Sequence, residues 1–181
     1  MIYVLLADGF EEIEALTVVD FVRRANLDIQ MVSTMESLNV TGAHGIEIVT
    51  DSVLKEDTLT DPELIVLPGG LPGATNLHEN AIVTRCLMEQ AKNNGMIAAI
   101  CAAPYILGDL GILKGKKATC YPGFESHLLG ANYTGKMVEW DGNIITGKGP
   151  AAAFMFASQI IEALQGKETR MRIERDTLIN V

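Results

Sequence analysis

Short apolar runs alternate along this chain with longer amphipathic segments. The runs are IYVLL at 2–6, LIVLPGG at 64–70 and MIAAI at 96–100. A strand that is buried on both faces of a parallel sheet has this continuous apolar character, whereas a half-exposed strand alternates. The segments 8–26 and 79–95 have helical periodicity. This order predicts an α/β fold with a doubly wound, mainly parallel sheet.

Shorter segments complete the predicted order of elements. The segment DIQMVS at 28–33 predicts a second strand, and the alternation in 45–51 predicts a half-exposed strand or a hairpin arm. Asp141-Gly142 marks the turn of a hairpin in MVEWDGNIITG, and 151–166 predicts a closing helix. Since no linker or repeat interrupts the pattern, we expect a single domain over residues 1–181.

The composition argues against several classes of protein. Of the 181 residues, 48% are hydrophobic, and the formal net charge at pH 7 is −9. This acidic balance disfavours strong binding to nucleic-acid phosphates. No apolar run reaches the about 20 residues that a membrane-spanning helix needs, and the amino-terminal run lacks the basic region of a signal peptide. The three cysteines show no CxxC spacing, which favours free thiols in a reducing cytoplasm over disulfides or a zinc site.

Cys101 is the first candidate for chemistry, because it lies between the run MIAAI and a short predicted helix that includes Pro104. A residue at such a turn projects above the sheet, as in a nucleophile elbow. Unpaired N–H groups at the start of the helix favour the thiolate, so we expect a lowered thiol pKa. The same position also suits a small buried residue that only packs. Position alone leaves both interpretations open.

Glu14 is the second candidate. It lies in the first turns of the helix predicted in 8–26, beside the apolar stripe that contains Ile13 and Leu16. If its side chain points towards Cys101, burial should raise the pKa of its carboxyl. A protonated carboxyl can donate to a thiolate or transfer a proton to a substrate. The alternative interpretation is a solvated carboxylate on a helix.

Glycines in LPGGLPGATNL, residues 67–77, form the third feature. Gly69 and Gly70 allow the backbone to approach a pocket closely. Their N–H groups, with that of Ala102, can form an oxyanion hole. Ligands of doubly wound sheets bind beyond the carboxyl ends of the strands. The turns that carry these three candidate features should therefore converge in space.

The histidines and the remaining cysteines are weaker candidates. His44, His78 and His127 have no metal-ligand spacing, so no metal site is predicted. His127 is the outside candidate for a general base, since it follows the predicted strand TCYP by a few residues. Cys120 lies in that strand, where it either approaches the site or simply packs.

Four motifs in this order make the chain resemble the ThiJ/PfpI superfamily: DGFEEIEA, VLPGGLPGATNL, AAICAAP and TGKGPAAAFMFA. The resemblance covers nearly the whole chain and is nearest to the branch of the parkinsonism-associated oxidative-stress deglycase and the bacterial ThiJ-type proteins. It implies a flavodoxin-like fold, similar to class I glutamine amidotransferase domains. It also implies a homodimer without a metal or organic cofactor.

The same resemblance assigns roles to the candidate residues. It implies that Cys101 is the reactive cysteine and Glu14 the carboxylic acid that hydrogen-bonds to it, with the amides of Gly70 and Ala102 lining the pocket. The implied activity is that of a glyoxalase or deglycase. Its substrates are methylglyoxal, glyoxal or their early glycation adducts, and its role is protection against carbonyl and oxidative stress. The alternative is a redox-sensing stress protein or chaperone whose cysteine is oxidised to a sulfinic acid.

One departure from the family pattern concerns Tyr121. Many members have a histidine at the position that aligns with Tyr121, whereas His127 lies six residues further along this chain. The departure argues against a Cys–His dyad, so a cysteine peptidase or an amidotransferase-like hydrolase ranks third. We therefore expect the pair of Cys101 and Glu14 to carry the chemistry, with Tyr121 as part of the pocket.

Overall fold

The computed structural model describes residues 1–179, and these form eleven strands and six α-helices. The strands are β1 (Ile2–Leu6), β2 (Ile29–Ser33), β3 (Asn39–Thr41), β4 (Glu47–Val49), β5 (Ser52–Val53), β6 (Leu64–Leu67), β7 (Met96–Ile100), β8 (Lys117–Ala118), β9 (Asn132–Tyr133), β10 (Val138–Asp141) and β11 (Ile144–Gly147). The helices are α1 (Glu12–Arg24), α2 (Gly73–Glu79), α3 (Ala81–Lys92), α4 (Pro104–Asp109), α5 (Ala153–Gln165) and α6 (Lys167–Asp176). Within 1–179, none of the helices has the length and apolar character needed to cross a bilayer.

Seven strands form the central sheet in the order β10-β11-β7-β6-β1-β2-β5. Neighbouring strands in this sheet are parallel except for β10 and β11, which form the predicted antiparallel hairpin. The crossover from β1 through α1 to β2 and the later crossovers build the sheet outward from β1 in both directions. The predicted doubly wound, flavodoxin-like α/β class is confirmed.

The side chains of β1 show why its sequence is apolar throughout. Ile2, Val4 and Leu6 point to one face of the sheet, where they join the core beneath α1 and α5. Tyr3 and Leu5 point to the other face and join the core beneath α2, α3 and α4. Successive residues of a strand face opposite sides, so a strand covered on both sides needs an apolar residue at every position.

Three segments differ from the sequence-based expectation or extend it. The segment 45–51 is a hairpin arm, because β4 pairs with β3 in a separate two-stranded sheet. The helix α2 was not predicted, because its sequence begins in a glycine-rich turn. The charged tail after residue 166 forms α6. Ile173 is the buried residue of this helix, and its side chain joins the core. Residues 180 and 181 of that tail lie outside the described residues.

Leu87 and Met88 are adjacent in α3 but differ in burial, since Leu87 is fully buried and Met88 is 48% exposed. We expect Leu87→Ala to lower the free energy of unfolding by about 2–5 kcal/mol, because it leaves a cavity between α3 and the sheet. Met88→Ala should change it by less than about 0.5 kcal/mol. Urea unfolding of both variants measures the difference, and equal losses would contradict this packing of α3.

Candidate active site

Three turns meet at the carboxyl ends of the adjacent strands β1, β6 and β7. The N–H of Glu11, in the turn after β1, donates to the carbonyl of Gly69, in the turn after β6, over 2.9 Å. The N–H of Gly69 donates in return to Glu14 Oε2 over 2.8 Å. Cys101 follows β7 directly. The structure thus confirms the predicted convergence of the three turns.

Cys101 adopts an unusual backbone conformation, with a φ of 65° that is rare for a residue other than glycine. Such a conformation costs about 1–3 kcal/mol and persists only where the surroundings hold it. Two backbone hydrogen bonds do so here. The Cys101 N–H donates to the carbonyl of Gly147 over 2.9 Å, and the N–H of Tyr121 donates to the Cys101 carbonyl over 2.8 Å. Cys101 therefore lies on a sharp strand-to-helix elbow, as predicted.

Glu14 is fully buried beside this elbow. Its Oε2 accepts the bond from Gly69, whereas its Oε1 is buried without a hydrogen-bond partner among residues 1–179. The approach of the three turns leaves no room for a side chain at Gly69. A Cβ atom there would lie 2.5 Å from Cys101 Cβ and 2.8 Å from Glu14 Oε2. The carboxyl and the thiol therefore meet across a glycine.

Burial has the largest effect on the pKa of both groups. It raises the pKa of Glu14 to about 7, against the lowering effect of the Gly69 N–H. Burial, and then the charge of Glu14, raise the pKa of the Cys101 thiol to about 12, against the lowering effect of the Ala102 and Gly70 N–H groups. The prediction for Glu14 is confirmed in direction. The predicted lowering of the thiol pKa is wrong, because burial outweighs the backbone donors.

This arrangement has a definite chemical capacity. Glu14 and Cys101 influence one another's ionisation, so they titrate as a pair that loses its first proton near neutral pH. An ionised Glu14 can accept the thiol proton as sulfur attacks an electrophile. The N–H groups of Gly70 and Ala102 lower the pKa of the Cys101 thiol. Donors in such positions can also stabilise an oxyanion that forms beside the sulfur.

Tyr121 lies at the rim of the site. Its backbone supports the elbow, while its side chain is 46% exposed. The ring lies against Gly149 and lines a shallow cavity of about 200 Å³ together with Met137 and Lys148. Tyr121 thus supplies backbone support to Cys101 and a side chain to a neighbouring surface.

The two weaker candidates are directed elsewhere. His127 Nδ1 lies 3.3 Å from Asp109 Oδ1, and its ring packs edge-on against Tyr105 with a centroid separation of 5.6 Å. Cys120 is fully buried, and burial raises the pKa of its thiol to about 11. The structure therefore brings Cys101, Glu14 and the glycine turn together, but it does not add His127 to them.

A group of three further polar residues escaped the sequence reasoning. Glu12 is the first residue of α1 and Glu11 directly precedes it, whereas His44 lies in the turn between β3 and β4. His44 Nδ1 is 2.8 Å from Glu12 Oε2 and 3.7 Å from Glu11 Oε2. Because His44 is 32 residues from Glu12 in sequence, no local spacing could reveal this group.

These features define a class of α/β proteins. In this class a doubly wound sheet carries a cysteine on a strand-to-helix elbow, next to a buried carboxyl. The sequence profile of the DJ-1/PfpI family matches residues 1–163 of this chain. The chain belongs to the DJ-1/PfpI family.

Several relatives are similar over most of this chain. DJ-1 homolog B of Arabidopsis thaliana is 36% identical over 98% of it, although the chain spans only 41% of that protein. The glutathione-independent glyoxalase DJR-1.2 of Caenorhabditis elegans is 34% identical over 87% of this chain and 84% of its own. The structure of oxidised Toxoplasma gondii DJ-1 superposes with a TM-score of 0.94 at 31% identity, covering 99% of this chain and 98% of that one.

Alkylation of Cys101 by iodoacetamide tests the coupling to Glu14. We expect the rate to rise as the pH passes through about 7, because Glu14 loses its proton there and can then accept the thiol proton. Glu14→Gln should lack this step, whereas Glu36→Gln, at an exposed acid, should retain it. Mass spectrometry of the peptide that contains Cys101 gives the rate. An unchanged profile in Glu14→Gln would show that the two groups titrate independently.

Proposed function

We propose that this protein is a cysteine-dependent, cofactor-free glyoxalase or deglycase. Its substrates are methylglyoxal, glyoxal or their early glycation adducts, and its role is protection against carbonyl and oxidative stress. The observation that carries the proposal is the buried Glu14 carboxyl held against the Cys101 thiol. The C. elegans relative named a glutathione-independent glyoxalase supports it. Such a reaction needs a nucleophile and a proton carrier in one site, and this pair supplies both.

The first step forms a hemithioacetal. The Cys101 sulfur adds to the aldehyde carbon of methylglyoxal, and the thiol proton passes to the ionised Glu14. Negative charge develops on the aldehyde oxygen beside the N–H groups of Gly70 and Ala102. Glu14 then returns its proton to that oxygen. A raised thiol pKa suits this step, because the proton leaves as the carbon–sulfur bond forms rather than before.

The second step isomerises the adduct without an external oxidant. Glu14 takes the proton from the former aldehyde carbon, whose electron pair forms a double bond to the neighbouring carbon, and the ketone oxygen takes the proton of the hemithioacetal hydroxyl. Glu14 then returns its proton to the neighbouring carbon. The aldehyde carbon is thereby oxidised to a thioester, and the ketone carbon is reduced to an alcohol. Water then cleaves the thioester and releases lactate, which regenerates the thiol. The sum is one methylglyoxal and one water giving one lactate.

Lactate formation from methylglyoxal without added glutathione tests the proposal. Cys101→Ser should reduce turnover to the uncatalysed background, whereas Cys86→Ser in α3 should retain it. Glu14→Gln should lower kcat by about 100-fold or more, because it removes the proton carrier. Full turnover in Glu14→Gln would contradict the mechanism. No turnover in the wild-type protein would contradict the proposed activity itself.

A second candidate function is redox sensing by Cys101. The Glu14 carboxyl interacts with the Cys101 thiol, and its Oε1 is buried without a partner among the described residues, so the protonated carboxyl can donate to an oxygen added to sulfur. Two molecules of hydrogen peroxide would convert the thiolate through sulfenic to sulfinic acid and release two waters. The similarity to the oxidised Toxoplasma gondii DJ-1 structure supports this candidate.

Intact-protein mass after mild peroxide treatment tests the sensor. With the partly exposed Cys86 replaced by Ser in both proteins, we expect two added oxygen atoms where Cys101 is present and none in Cys101→Ser, since Cys101 retains 9% exposure and Cys120 is fully buried. Glu14→Leu, which cannot donate a hydrogen bond, should shift the product towards the sulfonic acid. Oxidation that persists in Cys101→Ser would assign the reactivity to another thiol.

The same proposal includes a cytoplasmic homodimer. Ile13 and Ile46 support the assembly, since each is 53% exposed and both line one cavity at the start of α1. Apolar side chains grouped in this way are typical of an interface between subunits.

A further inference from the structure

A cavity of about 270 Å³ lies between the edge strand β10 and the helices α5 and α6. Its lining residues are Val138 from β10, Met155, Ser158 and Gln159 from α5, and Arg170 and Glu174 from α6. Cys101 and Glu14 do not line it. The cavity is therefore separate from the residues of the proposed reaction.

Ser158 has an unusual environment in this cavity. The residue is only 5% exposed, and its hydroxyl is buried without a hydrogen-bond partner within residues 1–179. A serine inside a helix usually faces solvent or donates to the carbonyl four residues earlier, which here belongs to Phe154. Ser158 does neither. Since a buried hydroxyl without a partner is costly, its position favours a partner that comes from outside the chain.

The charges of the cavity limit what this partner can be. Arg170 Nη1 donates to both carboxylate oxygens of Glu174 over 2.9 Å. Arg170 Nε lies 2.8 Å from Glu162 Oε2, although it is not aligned for a hydrogen bond. One positive and two negative charges thus meet here, so an anion finds no surplus positive charge, while the guanidinium in the lining repels a cation. A neutral ligand is favoured.

The polar groups of the lining can both donate and accept hydrogen bonds. A guanidinium carries five N–H donors, and Glu174 engages only those on Nη1 of Arg170. The Ser158 hydroxyl and the Gln159 amide can each donate and accept, and the Glu174 carboxylate accepts. A hydroxyl group on a ligand also does both, so several hydroxyl groups would match this lining better than a ligand with donors or acceptors alone.

We propose that this cavity binds a neutral ligand with several hydroxyl groups, about the size of a monosaccharide. The side chains of Val138 and Met155 supply an apolar surface for the C–H groups of such a ligand. The volume lies just below the about 300–1,000 Å³ that is typical of sites for drug-sized molecules. One sugar ring therefore suits the cavity better than a longer chain.

An NMR titration of the ¹⁵N-labelled full chain with D-glucose tests the proposal. We expect saturable shifts of the backbone amide signals of Ser158, Gln159 and Arg170, with a Kd of about 1–10 mM for a ligand of this size. Ser158→Ala should raise the Kd about 2- to 10-fold, which is the effect of one neutral hydrogen bond. Gln159→Met, which keeps the length of the side chain, should raise it by a similar factor. Ser126→Ala, at an exposed serine, should bind as the wild-type protein does.

Thermal unfolding without glucose separates binding from folding. Because Ser158→Ala removes a buried hydroxyl that has no partner, its unfolding midpoint should equal or exceed that of the wild-type protein. A purely structural role of Ser158 would instead lower the midpoint. The Gln159→Met variant provides a second measurement of binding if Ser158→Ala does not fold.

A charged sugar tests the predicted preference for a neutral ligand. D-Glucuronate differs from D-glucose by a carboxylate in place of a CH₂OH group, so it should bind more weakly at low ionic strength. The absence of shifts with glucose would show that water alone occupies the cavity, and would overturn the proposal. Tighter binding of glucuronate, or unchanged glucose affinity in the folded variants at 158 and 159, would overturn it as well. These outcomes are independent of lactate formation, which depends on Cys101.

Discussion

The hydrogen bond from the Gly69 N–H to Glu14 Oε2 links the parts of the site together. It ties the turn after β6 to α1, and the glycine that donates it also allows Cys101 to approach. Because Gly69 has no side chain, the thiol and the carboxyl can occupy the space where a Cβ would lie. The positions of the nucleophile and of its proton partner therefore depend on one short stretch of backbone.

Burial and strain have related roles in this arrangement. The same exclusion of water that raises the pKa of Glu14 to about 7 also raises that of the Cys101 thiol. A buried thiol facing a carboxylate is a poor spontaneous nucleophile, but it is paired with a base of suitable strength. Cys101 adopts its left-handed conformation at the elbow beside this base. Such strain is typical of residues whose position matters for function.

Much of the fold and the centre of the site could be predicted from the sequence. The unbroken apolar runs required strands covered on both faces, and the rule for parallel sheets placed Cys101, Glu14 and the glycine turn at one edge. The ionisation of Cys101 could not be predicted, because it depends on the balance between burial and a few backbone donors. The group of Glu11, Glu12 and His44 was missed because a hairpin folds back over 32 residues to complete it. The helix α6 was missed because its sequence is charged nearly throughout, and only Ile173 enters the core.

The backbone and the side chain of Tyr121 have separate roles. The bond to the Cys101 carbonyl comes from the Tyr121 backbone, while the ring points to a different surface. Any residue other than proline can donate that bond, so position 121 can exchange one side chain for another without displacing the cysteine. The scaffold is therefore free to diversify its rim chemistry over evolutionary time while its nucleophile stays in place.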